Sequence, residues 1–188
     1  MTIDLTFASG YDLEVLDELP GTPNPVQFYF PPLRSEGRDG TLLRIKPDRS
    51  QKWVGCFAFG SYELSACIAS PEPRQLFVLS RGAGYAVDVD CPGKSRELPS
   101  VPVRDFRVLA DQKMVLFADF TRTAAYGVNG LIWRSERLCW DDVKILSIEG
   151  GLVYGSGSDP TSSANPERRW ELDLLTGRTV RTDFPVLP

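Results

Sequence analysis

The apolar residues of this chain come in short runs of four to seven, closely bounded by Gly, Pro, Asp and Asn. Examples are VQFYF (26–30), LFVLS (76–80), FRVLA (106–110), MVLFA (114–118) and GLVYG (151–155). They are rich in Val, Phe, Tyr and Leu, the residues that suit a pleated strand. No window of about 12 residues carries its apolar side chains at helical spacing. The nearest approach, YDLEVLDEL (11–19), spaces Leu13, Leu16 and Leu19 by three but also alternates as a strand would. With 16 Gly and 15 Pro spread throughout, turns recur along the whole chain. The class is all-β.

Four segments repeat one design: an alternating strand, a tight turn, then a short polar strand. They are TLLRIKPDRSQKW (41–53), GYAVDVDCPGKSREL (84–98), AAYGVNGLIWRS (124–135) and RWELDLLTGRTVR (169–181). Their turns centre near Ser50, Gly93, Gly130 and Gly177, at steps of 43, 37 and 47 residues. Two apolar runs precede each hairpin: 12–16 and 26–30, 64–70 and 75–80, 106–111 and 113–120, 144–150 and 151–157. Four strands per unit with a period near ~42 match the blade of a small propeller. The expected architecture is a single all-β domain over 1–188, a four-bladed β-propeller with blades near 8–59, 60–100, 101–140 and 141–188. A β-sandwich or open barrel is the alternative.

The blade-final hairpins carry a family resemblance. Leu172-Asp173 stands before Gly177 and Val89-Asp90 before Gly93. In this they resemble the blade hairpins of WD-repeat and quinoprotein-type β-propellers. Gly-His is absent, and Trp140-Asp141 falls in a predicted loop instead of closing a blade. Trp53 is the one position matching the tryptophan docking of quinoprotein blades. The resemblance implies a divergent, quasi-WD-repeat propeller.

The chain has no histidine. That excludes a Ser-His-Asp triad, a Cys-His dyad, a His general base and a His-bearing zinc site. Cys56, Cys67, Cys91 and Cys139 form no C-x-x-C pair, so no zinc site is expected. The first residues, MTIDLTFASGYDLEV, lack the basic start and apolar run of a secretory signal. Free, buried thiols and a cytoplasmic location follow as expectations. No stretch reaches the ~18 apolar residues of a membrane span. With 21 Lys and Arg against 25 Asp and Glu, the net charge of −4 offers no footprint for nucleic acid. It suits a basic partner.

Few constellations stand out. Asp88-x-Asp90 puts two carboxylates on one strand face, but Glu171 and Asp173 repeat the pattern, and Arg44 and Lys46 repeat it with opposite sign. A face that changes sign between repeats is solvated surface, and no metal is expected there. The glycine clusters at 82–84 and 155–163 open no helix and lack a Lys-Ser/Thr, so they read as connections. Ser156, Ser158 and Ser162 have no base to activate them. Trp140-Asp141-Asp142 reads as a partner anchor or as a packed Trp beside turn residues. Asp12, Glu14, Asp17 and Glu18 form an acidic stretch that would speed association with a cationic surface, or a solvated strand edge.

In a propeller, one face would collect 32–40, 60–63, 81–83, 99–105, 120–122, 137–143 and 157–168. From it we select Tyr62, Arg81, Arg122, Trp140, Asp141, Asp142 and Asp159 as partner-binding residues. The expected function is non-catalytic protein binding, with no cofactor. A small, acidic propeller resembles in general character the bacterial immunity proteins that cover the active site of a secreted toxin, as in type VI systems. The partner would be a cognate toxin with a basic surface, such as a nuclease. A carboxylate-based glycan enzyme and a sugar-binding module are the alternatives; the former requires paired acids with a raised pKa.

Overall fold

The structure, a computed structural model, describes residues 1–7, 10–21, 26–32, 39–161 and 167–184. Parts of the loops expected at 32–40 and 157–168, Ser162 among them, lie outside these residues. The chain is all-β, with four sheets of four or five strands and no α-helix among the described residues. It divides into two compact units, Met1–Pro99 and Ser100–Pro188, each built on two sheets.

In the first unit, one sheet has the order β2 (Tyr11–Leu16), β4 (Gly40–Pro47), β5 (Trp53–Ala58), β3 (Val26–Phe30). The other runs β1 (Thr2–Asp4), β6 (Ala66–Ala69), β7 (Gln75–Ser80), β8 (Ala83–Asp88), β9 (Arg96–Glu97). In the second unit each sheet is a plain meander. One is β10 (Asp105–Leu109), β11 (Met114–Ala118), β12 (Thr123–Gly127), β13 (Gly130–Arg134). The last is β14 (Asp141–Glu149), β15 (Leu152–Ser158), β16 (Glu167–Asp173), β17 (Thr179–Thr182).

The first sheet corrects the expected strand pattern. The limb after the turn at Ser50 is not a short polar strand ending at Trp53. It is β5, WVGCFA, nearly all buried. A strand covered on both faces reads as a continuous apolar run and loses the alternation that marks a half-buried one. Nor does β3 sit beside β2: it pairs in parallel with β5, Val26 opposite Trp53 and Phe30 opposite Phe57. The period of two puts Phe28 and Phe30 on one face. Phe30 stacks on Phe57 at 4.6 Å, and Phe28 meets Trp53 edge-on at 5.4 Å.

Each unit has one core. Tyr11, Leu43, Ile45 and Phe57 face Cys67, Leu76, Val78 and Val87 in the first unit. Met114, Leu116 and Ala125 face Val143, Ile145, Val153 and Leu172 in the second. Between Leu43 and Ile45, both fully buried, Arg44 turns outward and pairs with Glu14 across the ladder. Asp12 and Glu14 are exposed on β2.

Tight turns follow residue chemistry. Arg81 and Gly82, at φ 49° and 83°, join β7 to β8, and Gly150 and Gly151, at 57° and 80°, join β14 to β15. Two successive positive φ values match the right-handed strand twist.

A tryptophan ties the two sheets together in each unit. Trp53 Nε1 donates to the Val89 carbonyl at 2.9 Å, and Trp133 Nε1 to the Leu174 carbonyl at 2.9 Å. Each acceptor directly follows an aspartate that closes a turn. Asp88 accepts from the Asp90 and Cys91 amides. Asp173 accepts from the Leu175 and Thr176 amides and from Thr176 Oγ1. The equivalent of Asp173 is therefore Asp88, not Asp90. Asp90 pairs with Arg74 and accepts from Ser50 Oγ at 2.9 Å. A docked tryptophan was expected at Trp53 alone, and Trp133 is a second.

Of the cysteines, Cys56, Cys67 and Cys139 are buried free thiols, and Cys91 is a free thiol at the surface. It precedes the short 3-10 turn Pro92–Lys94 instead of entering the core.

Candidate functional site

Strand ends place the expected site residues in two groups, one per unit. In the first unit, the segment after β5 is tied to the β7–β8 turn. Gly60 N donates to the Ser80 carbonyl at 2.8 Å, Tyr62 N to the Arg81 carbonyl at 2.9 Å, and Gly82 N to the Leu64 carbonyl at 2.8 Å. Ser65 Oγ accepts from the Arg81 amide at 3.0 Å. A Cβ at Gly60 would stand 2.5 Å from backbone atoms of Arg81 and Ala83, so this closeness requires glycine. Tyr62 is half-buried and Arg81 exposed. The Arg81 guanidinium lies 5.5 Å from the centre of the exposed Phe59 ring.

The second unit holds Arg122, Trp140, Asp141, Asp142 and Asp159. Asp119 Oδ1 accepts from the Thr121 and Arg122 amides at 2.8 Å each, folding the segment after β11 into a turn. That turn is bonded to the segment entering β14. Leu138 N donates to the Thr121 carbonyl, and Val143 N and Cys139 Sγ reach the Phe120 carbonyl. Burial pushes the Cys139 thiol up to about 12, so it stays protonated and is no nucleophile.

Here the sequence reading needs correction twice. Asp141 and Asp142 do not lie in a free loop; they open β14, where a bulge sits and Asp142 takes φ 63°. Their charge is also matched within the chain. Arg104 reaches Asp141 at 3.1 Å and Asp142 at 3.0 Å, and Lys144 reaches Asp142 at 2.8 Å. The Asp142 carboxylate holds the Lys144 ammonium above its ordinary range. Trp140 is half-buried, and the Arg137 guanidinium stacks 4.6 Å from its ring centre. Arg104 stacks in turn over Phe120, also at 4.6 Å.

Asp159 is the second correction. It is 1% exposed and does not reach the surface. Its carboxylate accepts from Thr161 Oγ1 at 2.6 Å and from the Thr161 amide at 3.1 Å, and it pairs with Arg168 at 3.0 Å. The Thr161 hydroxyl, with its amide and Arg168, holds this carboxyl below its usual range. Asp173 is lowered likewise, first by the Thr176 hydroxyl. A carboxylate-based general acid needs the opposite shift.

Four residues were missing from the expected set: Phe59, Arg104, Phe120 and Arg137. Their signal is faint. Phe59 and Phe120 each fall one or two residues past a buried strand, where the chain leaves the core. The arginines lie elsewhere along the sequence, and only the fold brings Arg81 to Phe59 or Arg104 to Phe120.

Beside Asp142 and Lys144 a cleft of about 220 Å³ is lined also by Ser156, Gly157, Ser158 and Glu167. Among the described residues no group of three or more Cys, Asp or Glu side chains converges on a metal-sized site. No helix of the described residues is long and apolar enough to cross a membrane. No protein-family model matches the chain, and no curated protein matches its sequence.

Proposed function

We propose that this chain is a protein-binding protein without catalysis, and that it acts by covering the active site of a secreted toxin as an immunity protein does. The observation that supports the reading is a set of three arginine-on-aromatic stacks at strand ends: Arg81 on Phe59, Arg104 on Phe120 and Arg137 on Trp140. Phe59 is 45% exposed and Phe120 38%. Aromatic and arginine side chains dominate the energetics of protein interfaces. Stacking orders each guanidinium before a partner arrives, which lowers the entropy lost on binding. The net charge of −4, with Asp12 exposed on β2, favours a partner with a basic surface, such as a nuclease toxin.

The test is co-purification with the product of a neighbouring toxin gene. Phe59→Ala, Phe120→Ala or Trp140→Ala should weaken the complex at least tenfold with little change in melting temperature, as hot-spot truncations do. Absence of a complex with any such toxin, together with no protection of cells producing it, would overturn the reading.

The same proposal treats the four sheets as blades of a four-bladed propeller. Supporting it are four successive sheets and a docked tryptophan in each unit. A closed propeller of 188 residues should have a radius of gyration of about 16 Å by small-angle scattering. A value several ångströms larger would exclude closure.

A further inference from the structure

The cleft between β14, β15 and β16 holds a group that folding leaves unsatisfied. Ser156 is 1% exposed, and its hydroxyl has no hydrogen-bond partner among the described residues. Its own carbonyl is engaged by Trp170 Nε1 at 2.9 Å, which pins this point of the strand. Buried hydroxyls are nearly always partnered. An orphan lining an open cleft therefore marks a place where a donor or acceptor can enter.

The lining decides which. Asp142 and Glu167 contribute two carboxylates, and Ser156 and Ser158 two hydroxyls. Lys144 is the one cation; its side chain is 57% exposed and tied only at its tip to Asp142. The lining is net negative and rich in acceptors. An anion would meet two carboxylates. A planar guanidinium or an ammonium finds the exposed Glu167 and the serine hydroxyls as acceptors, and can share Asp142 Oδ2 once the Lys144 head swings into water, while Oδ1 stays with Arg104.

We infer that this cleft receives a lysine or arginine side chain of a protein partner. The inference rests on the protein-binding reading and adds the chemistry of one partner residue. Its test reads Ser156 and Glu167, which take no part in the arginine-on-aromatic stacks, so the two can fail separately.

The test needs no natural partner. The full chain, labelled with nitrogen-15, is titrated with acetyl-Gly-Gly-Arg-Gly-Gly-amide and with its Lys, Glu and Gln counterparts, and with glucose as a neutral polyol. The Arg and Lys peptides should shift the amides of Ser156, Gly157, Ser158 and Glu167 and saturate at millimolar concentration. Glu167→Gln should weaken them at least fivefold. Ser156→Ala should weaken them similarly while the rest of the spectrum stays folded and unchanged, since its hydroxyl has no partner to lose. No saturable shift at these amides, or equal shifts from the Glu peptide, the Gln peptide or glucose, would overturn the inference. Loss of toxin binding in Phe59→Ala, whose ring meets Arg81 and no cleft residue, would leave these peptide titrations unchanged.

Discussion

Trp53→Ala and Trp133→Ala are each expected to destabilise the protein by about 3–5 kcal/mol, the range for truncating a large buried aromatic. Both rings are nearly buried, at 3% and 7% exposure. Each joins the two sheets of its own unit, so removal opens a cavity between sheets and leaves the Val89 or Leu174 carbonyl without its donor. Trp53→Phe and Trp133→Phe keep most of the packing and lose the hydrogen bond, which should cost about 1–3 kcal/mol. Trp140→Ala is the control. Its ring is half-buried at a strand end, and its truncation should cost about 1 kcal/mol or less. Urea unfolding of the five variants reads these values. A cost below about 1 kcal/mol for Trp133→Ala would show that its indole does not hold the two sheets together.

The second large effect comes from adding atoms. At Gly155, on β15, an added Cβ would stand 1.9 Å from Trp170 Cζ2 and 2.3 Å from two further ring atoms. The ring has little room to yield. It is 1% exposed, and its Nε1 is bonded to the Ser156 carbonyl. Gly155→Ala is expected to cost about 3 kcal/mol or more, at the upper end for overpacking. Gly93→Ala meets nothing within 4 Å and should stay within about 0.5 kcal/mol of the parent. The pair Gly155→Ala with Trp170→Phe should recover part of the loss, because the smaller ring vacates the contested space. Equal midpoints for the Gly155→Ala and Gly93→Ala variants would refute the close packing of Trp170 on β15.

Legibility differed between the two units for a physical reason. Every strand of the second unit pairs with its neighbour in sequence, so each apolar run and the turn after it contain the information for that pairing. FRVLA, MVLFA and GLVYG were readable on that basis. In the first unit, β3 must bypass β4 to reach β5, and nothing local to VQFYF specifies this. Trp133 was missed because a bulge at Ala125 and Tyr126 disturbs the ladder, and β13 buries Gly130 and Trp133 without strict alternation. At the site, residue type drew attention to Trp140, Asp141 and Asp142 but not to the arginine that matches the two carboxylates. The partner of Asp141 and Asp142 is Arg104, 37 residues upstream of Asp141. Asp159 read as a loop acid because its burying partner, Arg168, stands on the far side of the connection to β16.

The parallel pairings of β1 and β3 also set how chain entropy is distributed. The β1 ladder joins Thr2 to Ala66, a separation of 64 residues, and the β3 ladder joins Val26 to Trp53, a separation of 27. In the second unit the longest connection between paired strands, from Ser158 to Glu167, spans 9. By the logarithmic scaling of loop closure, bringing β1 home costs about 1.7 kcal/mol more than that connection does. The first unit thus assembles against a larger entropic deficit than the second, and at the β3 ladder the ring stack of Phe30 on Phe57 and the edge contact of Phe28 with Trp53 help to offset the closure of that 27-residue separation.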